Sequence, residues 1–186
     1  MAIKKGEIEV FLSENVFMGL ILSSVEVYKK ECFGLLLGYK TPQKYIVEHA
    51  IPYQSAKRGH KWIELRSDKW KVIQEVLENF PKLDMIGDFH SHTMYRDVKA
   101  DIALSEDDIV HMYPDELQVV IAVNENRRFM PWTSNPDHSI SGTINGFHFK
   151  VAAYYYPAEI EDDGNNKKES VSLYAAKIIC PFVIGK

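Results

Sequence analysis

Apolar positions alternate in some stretches of the chain and recur every third or fourth residue in others, and this division predicts its elements. Residues 7–12 alternate and then run apolar, as a short strand does. Ser13 stands where a helix over about 14–30 needs its N-cap, with Val16, Leu20, Ile21, Val25 and Tyr28 near the helical period. The run from Phe33 to Tyr39, bounded by glycine and by Thr41-Pro42, reads as a buried strand. Tyr45 to Tyr53 reads as its hairpin partner.

Residues 54–66 carry Lys57, Arg58, His60 and Lys61 without a period, a polar loop leading to strand-like Trp62 to Leu65. Ser67 is expected to cap a helix over about 68–80 with Trp70, Ile73, Val76 and Leu77 on one face. Leu83 to Phe89 is an apolar stretch that feeds into His90-Ser91-His92. After an aperiodic 93–104, Ser105 looks like the cap of a short helix to about Tyr113. Leu117 to Val123 is a strong buried strand, Arg128 to Thr133 a weaker one, and Phe147 to Tyr155 alternate within a strand-like 140–156. The charged, breaker-rich Glu159 to Glu169 reads as a solvated loop. The apolar 170–184 fits strand or helix equally well.

Strands interrupted by a few helices, with no repeat or linker, predict one α+β domain over residues 1–186 with a mixed sheet. Composition agrees with a globular chain: 46% hydrophobic and 26% charged residues leave neither a disordered nor a fibrous class. A net charge of −4 argues against nucleic acid as the partner. No apolar run is long enough for a membrane span, and the acidic N-terminal stretch does not read as a leader. Cys32 and Cys180, each flanked by apolar residues, are expected as buried thiols in a reducing, cytoplasmic setting. The three tryptophans, Trp62, Trp70 and Trp132, are assigned to packing.

The chemistry centres on Gly87-Asp88-Phe89-His90-Ser91-His92. Side chains two apart on a strand share a face, so His90 and His92 can converge on one ion, whereas on a helix they would diverge. Neutral imidazoles in such a pair suit zinc, although paired histidines on a strand also arise by chance. Ser105 and Asp108 fit a helix cap as well as a functional pair, and Glu31 fits a solvated helix end beside Lys29 and Lys30. Gly34 and Gly38 permit close approach of a neighbouring backbone or of a peptide. Of the other histidines, His111 alone is near enough to Asp108 on the same helix to warrant comparison.

Taken together, Glu31 before Gly34-Leu35-Leu36-Leu37-Gly38, the His90-Ser91-His92 triplet and Ser105-x-x-Asp108 resemble the MPN/JAMM zinc metalloprotease family. Ile86-Gly87-Asp88-Phe89 and Leu117 to Val123 extend the likeness over most of 7–133, leaving 134–186 as a C-terminal elaboration. The resemblance implies a cytidine deaminase-like fold, a mainly antiparallel curved sheet flanked by helices. It also implies that His90, His92 and Asp108 bind Zn2+, that Glu31 is the general base, and that Ser105 helps to stabilise the oxyanion. Two features depart from the motif. Thr93 stands where a proline is usual, and twelve residues separate His92 from Ser105 instead of seven. Asp97 and Asp101, within that longer loop, therefore compete with Asp108 as ligands.

Active members of the family cleave ubiquitin-like proteins at a flexible tail, and prokaryotic relatives process sulfur-carrier or ubiquitin-like proteins. The resemblance thus implies a protein substrate and hydrolysis of a peptide or isopeptide bond. Such a tail would add to the Phe33 to Tyr39 strand or lie near Lys57 to Trp62, with the 93–104 loop gating the cleft. A scaffold without activity and a zinc hydrolase of small amides are the alternatives.

Overall fold

The computed structural model describes residues 4–60, 62–157, 172–181 and 183. In chain order the elements are β1 (Lys4–Leu12), α1 (Glu14–Glu26), β2 (Phe33–Thr41), β3 (Lys44–Pro52), β4 (Lys57–Arg58), β5 (Ile63–Glu64) and α2 (Ser67–Leu77). There follow β6 (Asp84–Thr93), α3 (Glu106–Val110), β7 (Leu117–Glu125), β8 (Thr133–Ser134), β9 (Ile140–Ile144), β10 (Phe147–Tyr155) and β11 (Tyr174–Ile179).

The expected layered α+β arrangement, a sheet flanked by helices, is not what forms. The strands run β11-β1-β3-β2-β6-β7-β10, and β10 then pairs with β11, so seven strands of mixed direction close into a barrel. Strand takes 44% of the described residues and helix only 18%. The physical cause lies in the C-terminal run, whose period left strand and helix open. As β11 it bonds β1 in parallel register and the second half of β10 in antiparallel register, which removes both free edges of the sheet. The first half of β10 instead carries β9 and β8 as a side flap. A unit ending near residue 133 would lack two of the barrel's staves.

Alternation fills the interior. Val10, Leu12, Leu36, Tyr45, Val47, Phe89, Val119, Ile121, Phe149 and Val151 are fully buried and share one cluster with Val16 and Leu20 of α1. Ser13 caps that helix as its spacing predicts, its Oγ accepting from Val16 N at 3.3 Å, but the helix stops at Glu26. The opposite face of β7 and β10 makes a second cluster, in which Val120, Ala122, Ala152 and Tyr154 are covered by Ile102 and Met112.

The other helices contribute little. α2 buries no residue, its Val76 is exposed, and its N-cap is Arg66 with no side-chain cap, so Ser67 lies inside the helix and does not open it. The weak strand expected over 128–133 shrinks to β8. The single strand expected over 140–156 is a hairpin turned at Asn145-Gly146, where both residues have positive φ, 46° and 83°. Gly34 and Gly38 face neighbouring elements and not an open groove. The Phe89 ring and the Ile51 carbonyl occupy the first position, and the Ile46 carbonyl the second. The loop expected over 159–169 lies outside the described residues.

Both cysteines are buried and free. Burial pushes the Cys180 thiol up to about 12 and raises that of Cys32. A thiol-specific disulfide reagent at pH 8 is therefore expected to modify the native chain about 100-fold or more slowly than the unfolded chain. Rapid modification of the native chain would contradict the packing of both residues.

Candidate metal centre

A bulge in β6 decides which side chains face outward. The β2–β6 register slips between Leu36, opposite Gly87, and Leu37, opposite Met85. Gly87 has φ 152°, and the Leu117 carbonyl occupies the space a Cβ would need. Beyond the bulge Phe89 points into the barrel, while Asp88, His90 and His92 share the outer face with Val120 and Ala122 of β7. β6 continues through Thr93, paired with Val123.

His90 Nε2 and His92 Nε2 lie 3.1 Å apart. Asp108 completes the group, with Oδ1 3.4 Å from His90 Nε2 and Oδ2 3.6 Å from His92 Nε2. Its position is set by a capping box. Ser105 Oγ accepts from Asp108 N at 3.1 Å, and Asp108 Oδ2 accepts from Ser105 N and Ser105 Oγ, both at 2.7 Å. The helix cap and the place beside the histidines are therefore one arrangement. The three residues could hold a metal ion, their ligand atoms all lying within 4.8 Å of one another.

Neither competing carboxylate joins them. Asp97 is exposed on the loop, and Asp101 Oδ1 accepts from its neighbour Ile102 N at 2.6 Å. His111 bonds the Asp107 carbonyl through Nδ1 at 2.7 Å and also stays outside the group. The long loop contributes a backbone group instead: the Asp101 carbonyl lies 2.6 Å from His92 Nδ1. A carbonyl only accepts, so Nδ1 carries the proton and the neutral ring keeps its lone pair on Nε2, toward His90 and Asp108.

Glu31 lies just before β2. Cys32 N donates to Ser91 Oγ at 2.9 Å and Ser91 N to the Cys32 carbonyl at 3.1 Å. With Phe33 opposite His90, this antiparallel register brings Glu31 opposite His92. Glu31 N also donates to the Gly59 carbonyl at 2.9 Å, which ties it to the loop between β4 and β5.

The electrostatics follow from burial and proximity. Burial pushes the His90 imidazole down to about 4 against the pull of Asp108, so the ring is neutral near pH 7. Burial acts the same way on His92, but Asp108, the Asp101 carbonyl and the Glu31 charge together outweigh it and raise its pKa. Asp108 is disfavoured as an anion by burial, yet His92, His90 and Ser105 hold its carboxyl well below the usual range.

Sequence reasoning passed over three participants. Asp88 shares the outer face with both histidines, and burial, then Glu116, push its carboxyl up to about 7. Its two-residue spacing from His90 was the available signal. Asn124, buried at the end of an apolar strand, holds the long loop, and a lone polar residue in such a run was its signal. The Asp101 carbonyl, as a backbone group, had none. Among the flanking residues, Lys57 pairs with Glu64 at 2.9 Å, and the Arg58 guanidinium donates to the Tyr53 and Gln54 carbonyls. Lys61 lies outside the described residues. Trp62 is 54% exposed beside Gly59, so packing does not account for it. Trp132, in contrast, stacks on Phe149.

No family model matches the chain, and no curated protein matches it either. Solved structures do. The chain is similar to the solution structure of protein DSY2949 from Desulfitobacterium hafniense, at 14% identity and a TM-score of 0.57, over 93% of this chain and 92% of that one. At that identity the likeness is one of fold alone.

Proposed function

We propose that this chain is a zinc-dependent hydrolase of peptide or isopeptide bonds whose site motif, though not its sheet arrangement, is of the MPN/JAMM kind. The observation that carries this reading is the convergence of His90, His92 and Asp108. Zinc–ligand bonds of about 2.0–2.1 Å at tetrahedral angles put ligand atoms about 3.3–3.4 Å apart. The two Nε2 atoms, 3.1 Å apart, are close to that edge length, and the Asp108 carboxylate faces them with both oxygens, Oδ1 at 3.4 Å from His90 and Oδ2 at 3.6 Å from His92. Two imidazoles and one carboxylate also match the three-ligand set of catalytic zinc sites, which leave a fourth position open.

Zinc held there supplies a Lewis acid and brings the pKa of a bound water to about 7. Glu31, outside the ligand group and opposite His92, would be the base, a carboxylate placed to accept a proton beside the site and to return it to a leaving amine. Ser105 is expected to lend its hydroxyl proton to the developing oxyanion, a donor worth about 100- to 1000-fold in rate. In the resting geometry that hydroxyl donates its hydrogen bond to Asp108 Oδ2 at 2.7 Å.

A ubiquitin-like or sulfur-carrier tail is the proposed substrate, in the cytoplasm. It cannot add to β2, which is paired on both sides by β3 and β6. The two-stranded β4–β5 ribbon is the better acceptor, because among the described residues its strands pair only with each other and its loop bonds Glu31. No helix among the described residues is long and apolar enough to cross a membrane.

Metal analysis and a substrate panel test this reading. The purified chain is expected to bind one zinc, to cleave a ubiquitin-like fusion, and to lose both properties on chelation. Asp108→Asn should lose the zinc under conditions where the parent keeps it. A chain that takes up no zinc on titration overturns the enzyme reading. Cleavage confined to small amides overturns the protein substrate, and bound zinc without any hydrolysis leaves a scaffold.

A further inference from the structure

The loop between β6 and α3 has five residues more than the motif spacing, and most of that excess is used in one place. Tyr95 and Val98 exchange N–H···O bonds of 3.0 Å in both directions, closing a tight turn whose residues are all exposed. Immediately beyond it the chain is held firmly. Asn124 on β7 is only 7% exposed, and its side-chain amide grips the Ala100 peptide from both sides. Oδ1 accepts from Ala100 N at 2.8 Å, and Nδ2 donates to the Ala100 carbonyl at 3.1 Å. Tyr154 Oη donates to the Ile102 carbonyl at 3.0 Å, and the Ile102 side chain is buried against Val120, Ala122 and Tyr154. Between these two anchors lies Asp101, whose carbonyl meets His92 Nδ1.

We infer that Asn124 is a positioning residue for the metal centre, acting through Ala100 to hold the Asp101 carbonyl against His92 and so keep Nε2 free as a ligand. The loop beyond its exposed turn is thus a strut and not a gate. Asn124 pins the Ala100 peptide, one residue before the Asp101 carbonyl that meets His92. A longer loop costs closure entropy, though only slowly with length. Two hydrogen bonds from the Asn124 amide to Ala100 and one from Tyr154 to Ile102 offset that cost. Outer partners of metal-bound histidines are typically worth 10- to 100-fold in affinity.

The role of Asn124 rests on the zinc reading above, and two measurements separate them. Asn124→Ala is expected to keep the barrel by circular dichroism and to bind zinc about 10- to 100-fold more weakly in chelator competition. In the metal-free chain, the imidazole Nδ1 proton of His92 is expected by NMR to exchange slowly in the parent and freely in the variant. Removal of the Tyr95–Val98 turn, with Ala100 and Asp101 retained, should leave both readings at the parent's values. Asn124→Ser is polar but too short to hold both groups of Ala100, and it replaces the alanine variant if that chain fails to fold. An Asn124 variant with affinity within about twofold of the parent and a protected Nδ1 proton overturns the inference. A parent that takes up no zinc overturns the proposed function instead, and the Nδ1 proton still decides what Asn124 does.

Discussion

Replacing Glu31 by glutamine is expected to leave the metal ligands and the barrel in place and to slow hydrolysis about 100- to 10,000-fold, the range a positioned general base supplies. Glutamine keeps the size and reach of glutamate but cannot accept a proton at neutral pH. Glu31 is not one of the three residues grouped for a metal, so zinc content should stay at the parent's level. Its backbone is held by the Gly59 carbonyl and by the Cys32–Ser91 exchange next to it, and neither depends on the carboxylate. Turnover should therefore fall through kcat, with KM little changed, because the proton transfer occurs only in the transition state. Glu31→Asp keeps the base but shortens it by one methylene, and should fall between the two. A glutamine variant with full turnover and full zinc would remove Glu31 from the mechanism and direct attention to Asp88, a carboxyl on the outer face of β6.

How much of this was legible beforehand depends on whether the signal was local. The convergence of His90 and His92 follows from their two-residue spacing on a strand, and the Ser105–Asp108 capping box from one helical turn. Both were readable, and both are found. The placement of Glu31 relied on motif resemblance, because the register that sets it opposite His92 is a long-range pairing of β2 with β6. The closure of the barrel was not readable. It depends on β11 joining β1, from the other end of the chain, to β10, and a short apolar run has the same pattern in a strand and in a buried helix. The helix over 68–80 was overvalued for a related reason. Its period marks an amphipathic helix correctly, but periodicity does not say whether anything covers the face, and α2 buries none of it. Asn145-Gly146 was a readable turn signal within the alternating run, and the hairpin there hinges on it.

The steric demand at Gly87 leads to the largest expected loss of stability. Gly87→Ala meets two penalties at once. A φ of 152° is a region that side chains rarely adopt, and strained positions cost about 1–3 kcal/mol each. The added methyl would also meet the Leu117 carbonyl, part of a backbone that cannot turn aside, and overpacking of this kind costs a further 1–3 kcal/mol or so. The sum, about 2–6 kcal/mol, is a large share of the 5–15 kcal/mol that typically holds a domain folded. Gly146→Ala isolates the first penalty. Its φ is also positive, at 83°, but nothing lies within 4 Å of the added methyl, so about 1–2 kcal/mol is expected. Urea unfolding of the metal-free variants measures both directly. Zinc affinity should fall at Gly87 and not at Gly146, because the bulge at Gly87 turns His90 and His92 toward Asp108, whereas Gly146 serves only the β9–β10 turn. Equal unfolding costs at the two glycines would mean that β6 can retreat from Leu117, and that the outward aim of the histidines does not depend on the bulge.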